Sequence, residues 1–308
     1  MRLIVADIGG TNARFAVSSQ GETSLCHITH LRCADFVGFE DAFDRFLTGI
    51  PRDQQGGQHV LSLAVAGPVN DQIVDVSNNH WRFDKTRLLE QLALDKLLVI
   101  NDFTAQALAQ HNTADGDRRQ ILDGIEDASA PLLVIGPGTG LGVSALIPVV
   151  QGPLPVEGEG GNIRFAPQTA PERNLCAYME QQTDHVVVEH FVSGPGLENI
   201  HRFLANSAGR GPSLSAEMIA TSALHEKGVC RDAVNLMIGI LGAVMRDHVL
   251  TMGCWRGAVI TGGIMPRLQS LIVSSPLERR FRSAGEMSHI LGNLSLIHIS
   301  EPTRQSLI

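Results

Sequence analysis

Short apolar runs alternate with amphipathic segments along this chain, and the alternation predicts an α/β fold. Buried strands are predicted at Leu3–Ala6, His59–Ala66 and Lys96–Ile100, because each is a short apolar run that ends at turn-forming or polar residues. Between the first two, phenylalanines at helical spacing from Phe36 to Phe46 predict an amphipathic helix. Strands that alternate with helices indicate parallel pairing in the sheet.

The second half of the chain repeats this arrangement. A strand at Leu132–Ile135, a glycine turn and a returning strand at Gly142–Ile147 resemble the start of the chain. Placing Gly10 over Gly138 aligns the two hairpins at a separation of 128 residues, which favours two domains of similar build. Convergent turn chemistry gives the same pattern. Later elements are predicted as helices at Met179–Val192 and Asp232–Leu250 and as a strand at Ala258–Thr261.

The same pattern sets the expected domain boundaries. Residues 1–111 are expected to form a small N-terminal α/β domain and residues 112–293 a large one, with the polar stretch 111–129 as the crossing. Residues 294–308 show no clear period and no helix-capping pattern. We interpret them as an atypical tail, a cloning or sequence-assembly appendage, and exclude them from the fold.

Composition narrows the class of protein. The net charge of −8 argues against a general nucleic-acid surface, and 44% hydrophobic with 18% charged residues is typical of a globular protein. No apolar stretch is expected to span a bilayer, and the first apolar run is too short for a signal peptide. The five scattered cysteines contain no Cys-x-x-Cys, so we expect reduced thiols in a cytoplasmic protein.

The first glycine turn is suited to phosphate. Gly9 and Gly10 let backbone amides approach an anion without an intervening Cβ, and Thr11 and Asn12 add side-chain donors. Asp7, at the end of the strand, is placed to hold Mg²⁺ directly or through a water molecule. The structural alternative is a tight hairpin whose aspartate satisfies the turn amides.

The second glycine turn, Gly136–Gly142, has four glycines in seven residues, a density that costs backbone entropy unless a ligand comes close. A strand follows it instead of a helix, so it is no dinucleotide fingerprint. None of the three lysines follows a glycine, which excludes a Walker A loop. Phosphate contact and plain turn geometry both remain open for this segment.

Asp102 is the candidate general base. It follows the strand that ends at Ile100 and stands beside Asn101, where a carboxylate can hold a hydroxyl and take its proton. Ends of strands are where sites of α/β proteins lie. The alternative is that Asp102 caps the helix predicted to begin at Phe103.

Further polar residues are candidates for binding sugar hydroxyls. Glu157–Asn162 supplies carboxylates and an amide on a loop expected to be flexible, Glu189 lies farther along, and Asn78 precedes Trp81. A closed sugar site needs many donors and acceptors because an unpaired polar group there is expensive. The alternative for each residue is a solvated side chain at the surface.

Taken in order, eight of these segments resemble a bacterial glucokinase of the proteobacterial type, within the sugar-kinase/actin-like ATPase superfamily. The resemblance extends over about residues 2 to 290. The segments are Asp7–Arg14, Ala66–Val69, Asn78–Trp81, Asn101–Ala105, Gly136–Gly142, Glu157–Pro167, Ser193–Gly196 and Thr261–Arg267.

The resemblance implies two actin-like ATPase (ribonuclease-H-like) α/β domains, with mixed sheets flanked by helices around a central cleft, and phosphorylation of glucose to glucose 6-phosphate by ATP with Mg²⁺. Asp102 matches the family's catalytic base, and Asn101, Glu159 and Glu189 match its glucose ligands. Its phosphate loops match Gly9, Gly10, Thr11, Asn12, Gly138, Thr139 and Gly140, and its adenosine loop matches Gly262 and Gly263.

Two departures from the family leave alternatives open. Asn162 stands where the family usually has histidine, so the substrate can be another hexose such as fructose, mannose or an N-acetylhexosamine. The family also continues past residue 293 with a strand and a glycine-containing helix, so an inactive truncated product is a second alternative. A sugar-responsive repressor is disfavoured, because the first strand begins at Leu3 and leaves no room for a helix-turn-helix. A cytoplasmic location is expected, and the resemblance is compatible with a homodimer, although the sequence alone does not give the oligomeric state.

Overall fold

The computed structural model describes residues 2–19, 24–51, 59–110, 118–207, 209 and 214–299. These residues divide into two compact units, one up to Gln110 and the other from Arg118 to Ile299. The start of the predicted crossing, 111–117, and the end of the tail, 300–308, lie outside the described residues.

Unit 1 contains a five-stranded sheet in the order β3-β2-β1-β4-β7 and a small β5–β6 ladder. The strand β1 runs antiparallel to β2 and parallel to β4, which is parallel to β7. Its strands are β1 (Arg2–Ile8), β2 (Asn12–Ser19), β3 (Leu25–Arg32), β4 (His59–Val65), β5 (Ile73–Asp75), β6 (Arg82–Asp84) and β7 (Lys96–Asn101), and its helices are α1 (Phe39–Thr48), α2 (Lys85–Gln91) and α3 (Asp102–Ala109).

Aromatic side chains fill the core of unit 1. The predicted amphipathic helix is confirmed as α1, and it buries Phe39, Phe43 and Phe46 against Phe15 of β2. The rings of Phe15 and Phe46 stack with centroids 5.2 Å apart. Such rings bury large apolar areas, so they fix α1 on one face of the sheet.

Unit 2 contains a six-stranded sheet in the order β11-β10-β9-β12-β13-β8. Short 3-10 turns at Gly160–Asn162 and Val188–His190 stand between its longer elements. Its strands are β8 (Arg118–Leu122), β9 (Leu132–Pro137), β10 (Leu141–Ile147), β11 (Leu154–Val156), β12 (Gly257–Ile260) and β13 (Leu296–Ile299), and its helices are α4 (Ala170–Met179), α5 (Gly194–Ser207), α6 (Ala216–His225), α7 (Val229–Met252), α8 (Met265–Ile272), α9 (Leu277–Arg282) and α10 (Ser288–Leu291).

The two sheets repeat one plan. In unit 1 the sequence of pairings across β3-β2-β1-β4-β7 is antiparallel, antiparallel, parallel, parallel. The same sequence recurs across β11-β10-β9-β12-β13. The glycine hairpins join β1 to β2 and β9 to β10, so they occupy equivalent places in the two sheets.

The long helix α7 requires a correction. Its 24 residues are long and apolar enough to pass as a membrane span, contrary to the expectation that no such stretch exists. However, 78% of its most apolar window is buried inside the protein, against the core that includes Leu197 and Phe281. A helix that is apolar nearly all round is also what the core of a large domain requires.

The prediction of a helix over Met179–Val192 is wrong. Helix α4 ends at Met179, Val187 is extended and bridges Arg164, and the 3-10 turn Val188–His190 follows it. The three consecutive valines explain the difference, because β-branched side chains favour an extended backbone.

The tail was excluded from the fold, and this interpretation does not hold for residues 294–299. Leu296–Ile299 forms β13, which lies between β12 and β8 in the sheet, and Leu294 and Leu296 are buried. Their apolar side chains suit a strand inside a sheet.

All five cysteines are free thiols. Cys33 and Cys254 are buried, and burial raises the pKa of Cys254 to about 12. The thiol of Cys254 therefore stays neutral at physiological pH and acts as a small apolar core residue.

Candidate active site

The first glycine hairpin is tied to its surroundings through backbone groups. The amide of Gly9 donates to the carbonyl of Asn12 at 2.9 Å, which closes the turn. The side-chain amide of Asn79 donates to the carbonyl of Gly9 at 3.1 Å, and the amide of Cys33 donates to the carbonyl of Thr11 at 2.9 Å. A hairpin held this way keeps its own shape before any ligand arrives.

Space for a side chain is tight at position 10. A Cβ on Gly10 would lie 3.1 Å from both the Cβ and the carbonyl oxygen of Asn78. Asn78 adopts a left-handed backbone conformation with φ 56°, and its side chain is exposed. Asn78, predicted as a sugar ligand, therefore lies beside the first glycine hairpin.

Asp7 pairs across the hairpin with Arg14. Its Oδ2 lies 3.1 Å from Nη1 of Arg14, in the register that sets the two residues opposite each other. Burial raises the pKa of Asp7, and the charge of Arg14 opposes that rise. Magnesium sites commonly take only one or two protein carboxylates, with phosphate and water completing the shell. The second oxygen of Asp7 fits that kind of site, although the described residues contain no group of three metal-ligating side chains.

The candidate base stands at the carboxyl end of the parallel strands. The register aligns Ile8, Val65 and Asn101 across β1, β4 and β7. Asn101 and Asp102 therefore lie at the same end of the sheet as the first hairpin. The helix cap is Asn101, whose Oδ1 accepts the amides of Phe103 and Thr104 at 2.9 and 3.1 Å. Asp102 is half-buried at the first position of α3, and its Oδ1 accepts the amide of Phe103 at 2.8 Å.

The side chain of Asn101 also binds the loop at Gly67. Its Nδ2 donates to the carbonyl of Gly67 at 3.1 Å. Gly67 has φ 119°, a conformation that other residues rarely adopt. With Oδ1 used by the helix, the remaining donor for a sugar is the second hydrogen of Nδ2.

Two segments, at Gly194 and Gly262, contact the second glycine hairpin. Its turn closes through the amide of Gly138 to the carbonyl of Gly140 at 2.8 Å, and the amide of Gly194 donates to the carbonyl of Gly138 at 2.8 Å. Gly262 follows β12 with φ 89°, and a Cβ there would lie 2.5 Å from the carbonyl of Pro137. The predicted adenosine loop, Gly262 and Gly263, thus packs on the predicted phosphate loop, which includes Thr139.

The predicted sugar loop is clamped instead of flexible. Gly160–Asn162 forms a 3-10 turn, and a Cβ on Gly160 would lie 2.6 Å from the Cβ of Val143 and 3.0 Å from Cε1 of His248. Glu159 and Asn162 are both exposed, and Nδ2 of Asn162 donates to Oε2 of Glu159 at 3.4 Å. A strand and a helix therefore hold the turn that carries these two side chains.

Glu189 joins the same group. The amide of Val188 donates to the carbonyl of Ile163 at 3.0 Å, so the residues that follow Asn162 pair with those that precede Glu189. The half-buried carboxylate of Glu189 accepts the amide of Leu141 at 2.7 Å. The structure thus brings Glu159, Asn162 and Glu189 together beside the second hairpin, whereas Glu157 is exposed on the same loop.

The sequence analysis missed residues that hold these loops in place. Asn79 supports the first hairpin, Gly67 supports Asn101, and His248 packs on Gly160. Asn79 adjoins Asn78, and Gly67 precedes a proline, so both positions carried a turn signal. His248 lies within an apolar helix, and nothing in the sequence around it indicates that it contacts a loop.

Comparison with known proteins identifies the class. The family model described as Glucokinase matches residues 4–305. A glucokinase of Aromatoleum aromaticum is 38% identical over 293 residues, covering 94% of this chain and 88% of that protein. A glucokinase of Helicobacter pylori strain P12 is 37% identical over 306 residues, covering 96% and 90%.

A solved structure agrees with the sequence relatives. The crystal structure of a glucokinase from an Antarctic psychrotroph has a TM-score of 0.85 at 30% identity, covering 99% of this chain and 96% of that one. The fold is therefore that of the sugar kinases of the actin-like ATPase class, as the sequence analysis predicted. The chain belongs to the glucokinase family.

Proposed function

We propose that this chain transfers the γ-phosphoryl group of ATP to the 6-hydroxyl of D-glucose, with Asp102 as the general base. The assignment rests on the different roles of Asn101 and Asp102 at the end of β7. Asn101 is the N-cap of α3 and accepts two amides of its first turn, whereas Asp102 accepts one of them, so most of the capping that competes with catalysis falls to the neighbouring residue. Membership of the glucokinase family supports the reaction itself.

The proposed step moves one proton and one phosphoryl group. Asp102 takes the proton of the 6-hydroxyl, the oxygen forms a bond to the γ-phosphorus, and the bond from that phosphorus to the β-phosphate oxygen breaks to release ADP. Such transfer depends mostly on positioning and charge neutralisation. Glu159, Asn162 and Glu189 hold sugar hydroxyls together with Asn101, and the amides of both glycine hairpins cradle phosphate.

Mg²⁺ is part of the proposal, and Asp7 is the residue that would hold it. When bound with ATP, the ion supplies positive charge that neutralises the phosphate oxygens. Arg14 keeps the side chain of Asp7 in place from the opposite strand. A cytoplasmic location and a homodimer belong to the same proposal.

Replacing the base tests the mechanism. Asp102→Asn removes the proton acceptor at nearly constant shape, so kcat should fall by about 10²–10⁴-fold, as is typical of a lost general base. An assay that follows glucose 6-phosphate measures this, and the exposed Asp71→Asn is the matched control. Near-normal turnover by a folded Asp102→Asn protein would reject the assignment.

Another hexose is the second candidate, because of Asn162. Asparagine contacts Glu159 but cannot carry the charge of the histidine usual in the family. We expect Asn162→His to lower KM for glucose relative to fructose, mannose and N-acetylglucosamine. A panel of these sugars measures kcat/KM for both proteins, and a wild-type preference for a sugar other than glucose would favour the second candidate.

A further inference from the structure

We infer that Glu189 anchors the second glycine hairpin at Leu141 and thereby couples sugar binding to phosphate binding. This inference rests on the proposed function, in which Glu189 is a sugar ligand and the hairpin a phosphate loop. What is new is that the same carboxylate also holds the second hairpin in position.

The contact between the carboxylate and the hairpin is close and specific. Oε2 of Glu189 accepts the backbone amide of Leu141 at 2.7 Å. A Cβ on Gly140 would lie 2.5 Å from Oε2 and 3.1 Å from Cδ of Glu189, so the carboxylate lies directly against the Cα of this glycine. A side chain at position 140 would therefore displace the carboxylate of Glu189 from its present position.

The backbone of Glu189 is itself fixed. The hydroxyl of Ser193 donates to the carbonyl of Glu189 at 2.8 Å. On the other side, the amide of Val188 donates to the carbonyl of Ile163 at 3.0 Å. The carboxylate therefore reaches the hairpin from a rigid base, as a positioning group must.

The turn that carries the other sugar ligands meets the same residue of the hairpin. Gly161 packs so closely on the carbonyl of Leu141 that a Cβ would collide with it. Leu141 is buried, with its amide held by Glu189 and its carbonyl covered by Gly161. Two sugar-binding segments thus converge on one residue of the phosphate hairpin.

This arrangement has a consequence for binding. One carboxylate oxygen holds the hairpin, which leaves Oε1 to face a sugar hydroxyl. A phosphate that orders the hairpin also orders Glu189, and a sugar that orders Glu189 orders the hairpin. Coupling between two ligands is reciprocal, so each should tighten the binding of the other by the same factor.

Titration of nucleotide without sugar isolates the positioning role. Glu189→Asp shortens the side chain by one methylene, so its carboxylate no longer reaches the amide of Leu141. We expect the Kd of the nonhydrolysable analogue AMP-PNP with Mg²⁺ to rise about tenfold, the loss typical of a hydrogen bond to a charged group. Glu159→Gln is the matched control, because Glu159 is a proposed sugar ligand whose side chain contacts Asn162. It should weaken glucose and leave the Kd of AMP-PNP unchanged.

The converse titration measures glucose without nucleotide. Gly140→Ala places a methyl group against the Glu189 carboxylate and should raise the Kd of glucose about tenfold. A Cβ on Gly138 meets nothing within 4 Å, so Gly138→Ala should leave the Kd of glucose as it is in the wild type.

Hydrogen exchange supplies a readout that needs no ligand. The amide of Leu141 should exchange faster in Glu189→Asp than in Glu159→Gln, because its acceptor is lost. Weakened AMP-PNP binding together with faster exchange supports the inference. An unchanged Kd of AMP-PNP or unchanged exchange in a folded Glu189→Asp protein overturns it, whereas a wild-type protein that phosphorylates no sugar rejects the proposed function and leaves the exchange result standing.

Discussion

At the scale of single residues, the glycines of the hairpins differ in what surrounds them, although the sequence shows them as equals. A Cβ on Gly9 would meet only the carbonyl of Asn12, at an ordinary 3.6 Å. A Cβ on Gly10 would press on Asn78 at 3.1 Å. The sequence predicted the phosphate turn, but only the packing shows at which glycine a side chain would press on a neighbour.

This difference makes a paired prediction. Gly10→Ala must displace Asn78, and so should weaken binding of AMP-PNP by a factor on the order of 10. Gly9→Ala should cost clearly less, because its new methyl group fits. Isothermal titration of both variants checks the order, and equal losses would contradict the argument from space.

At the scale of elements, the sequence predicted those strands and helices whose apolar positions are the ones buried in the structure. The strands β1, β4 and β7 and helix α1 follow from apolar periodicity alone. The segment around Glu189 does not, because its conformation is set by pairing of Val186–Val188 with Ile163–Phe165, which is distant in sequence. The proposed ligands Glu159 and Glu189 could be named from the sequence, but the contacts of Glu189 and of Gly161 with Leu141 could not.

Helix α7 shows a second element whose role depends on a distant contact. His248 is buried against Gly160, and its Nε2 has no hydrogen-bond partner among the described residues. Burial lowers the pKa of His248, and a hydrogen bond with the backbone of Gly160 and the charge of Asp247 oppose the shift. The turn Gly160–Asn162, which carries proposed sugar ligands, therefore packs on a histidine whose pKa is lowered.

The sign of the pH dependence follows from this lowered pKa. As the pH falls below about 6.5, the unfolded chain binds a proton on His248 before the folded chain does, so the free energy of unfolding decreases. In His248→Gln the free energy of unfolding should fall less steeply with pH, by the equivalent of up to about one bound proton. Denaturant unfolding between pH 7.5 and 5.5 measures it, with the pH values chosen on either side of the ordinary histidine pKa, about 6.5.

A matched histidine separates the local effect from the general one. His201 in α5 is also buried, and burial lowers its pKa too. His201→Gln should flatten the same slope, whereas only His248→Gln should also raise KM for glucose, because only His248 supports the turn at Gly160. A change in KM in both variants would argue against the specific support.

At the scale of the whole molecule, one sheet plan occurs twice, and the sequence hinted at it through its two glycine hairpins. The strand β13 completes the repeat as the counterpart of β7, although no period marked it in the sequence. A strand that is central in a sheet is defined by its neighbours, and β12 and β8 are far from β13 along the chain.

The repeat divides the proposed ligand contacts between the units. Asn101 and the first hairpin belong to unit 1, and Glu159, Glu189 and the second hairpin belong to unit 2. The two tryptophans divide in the same way, Trp81 in unit 1 and Trp255 in unit 2. Fluorescence of single-tryptophan variants can therefore report the unfolding of each unit separately.

Glucose with AMP-PNP and Mg²⁺ should raise the melting temperature that each tryptophan reports, because ligands that bind only the folded state stabilise it. At a concentration 100 times Kd, one ligand adds about 2.7 kcal/mol. Trp255→Phe leaves Trp81 as the reporter of unit 1, and Trp81→Phe leaves Trp255 for unit 2. Asp102→Asn should retain most of this stabilisation, since the base is needed for transfer more than for binding. Stabilisation of one unit alone would show that the other contributes no ligand contact, and would remove its residues from the proposed set.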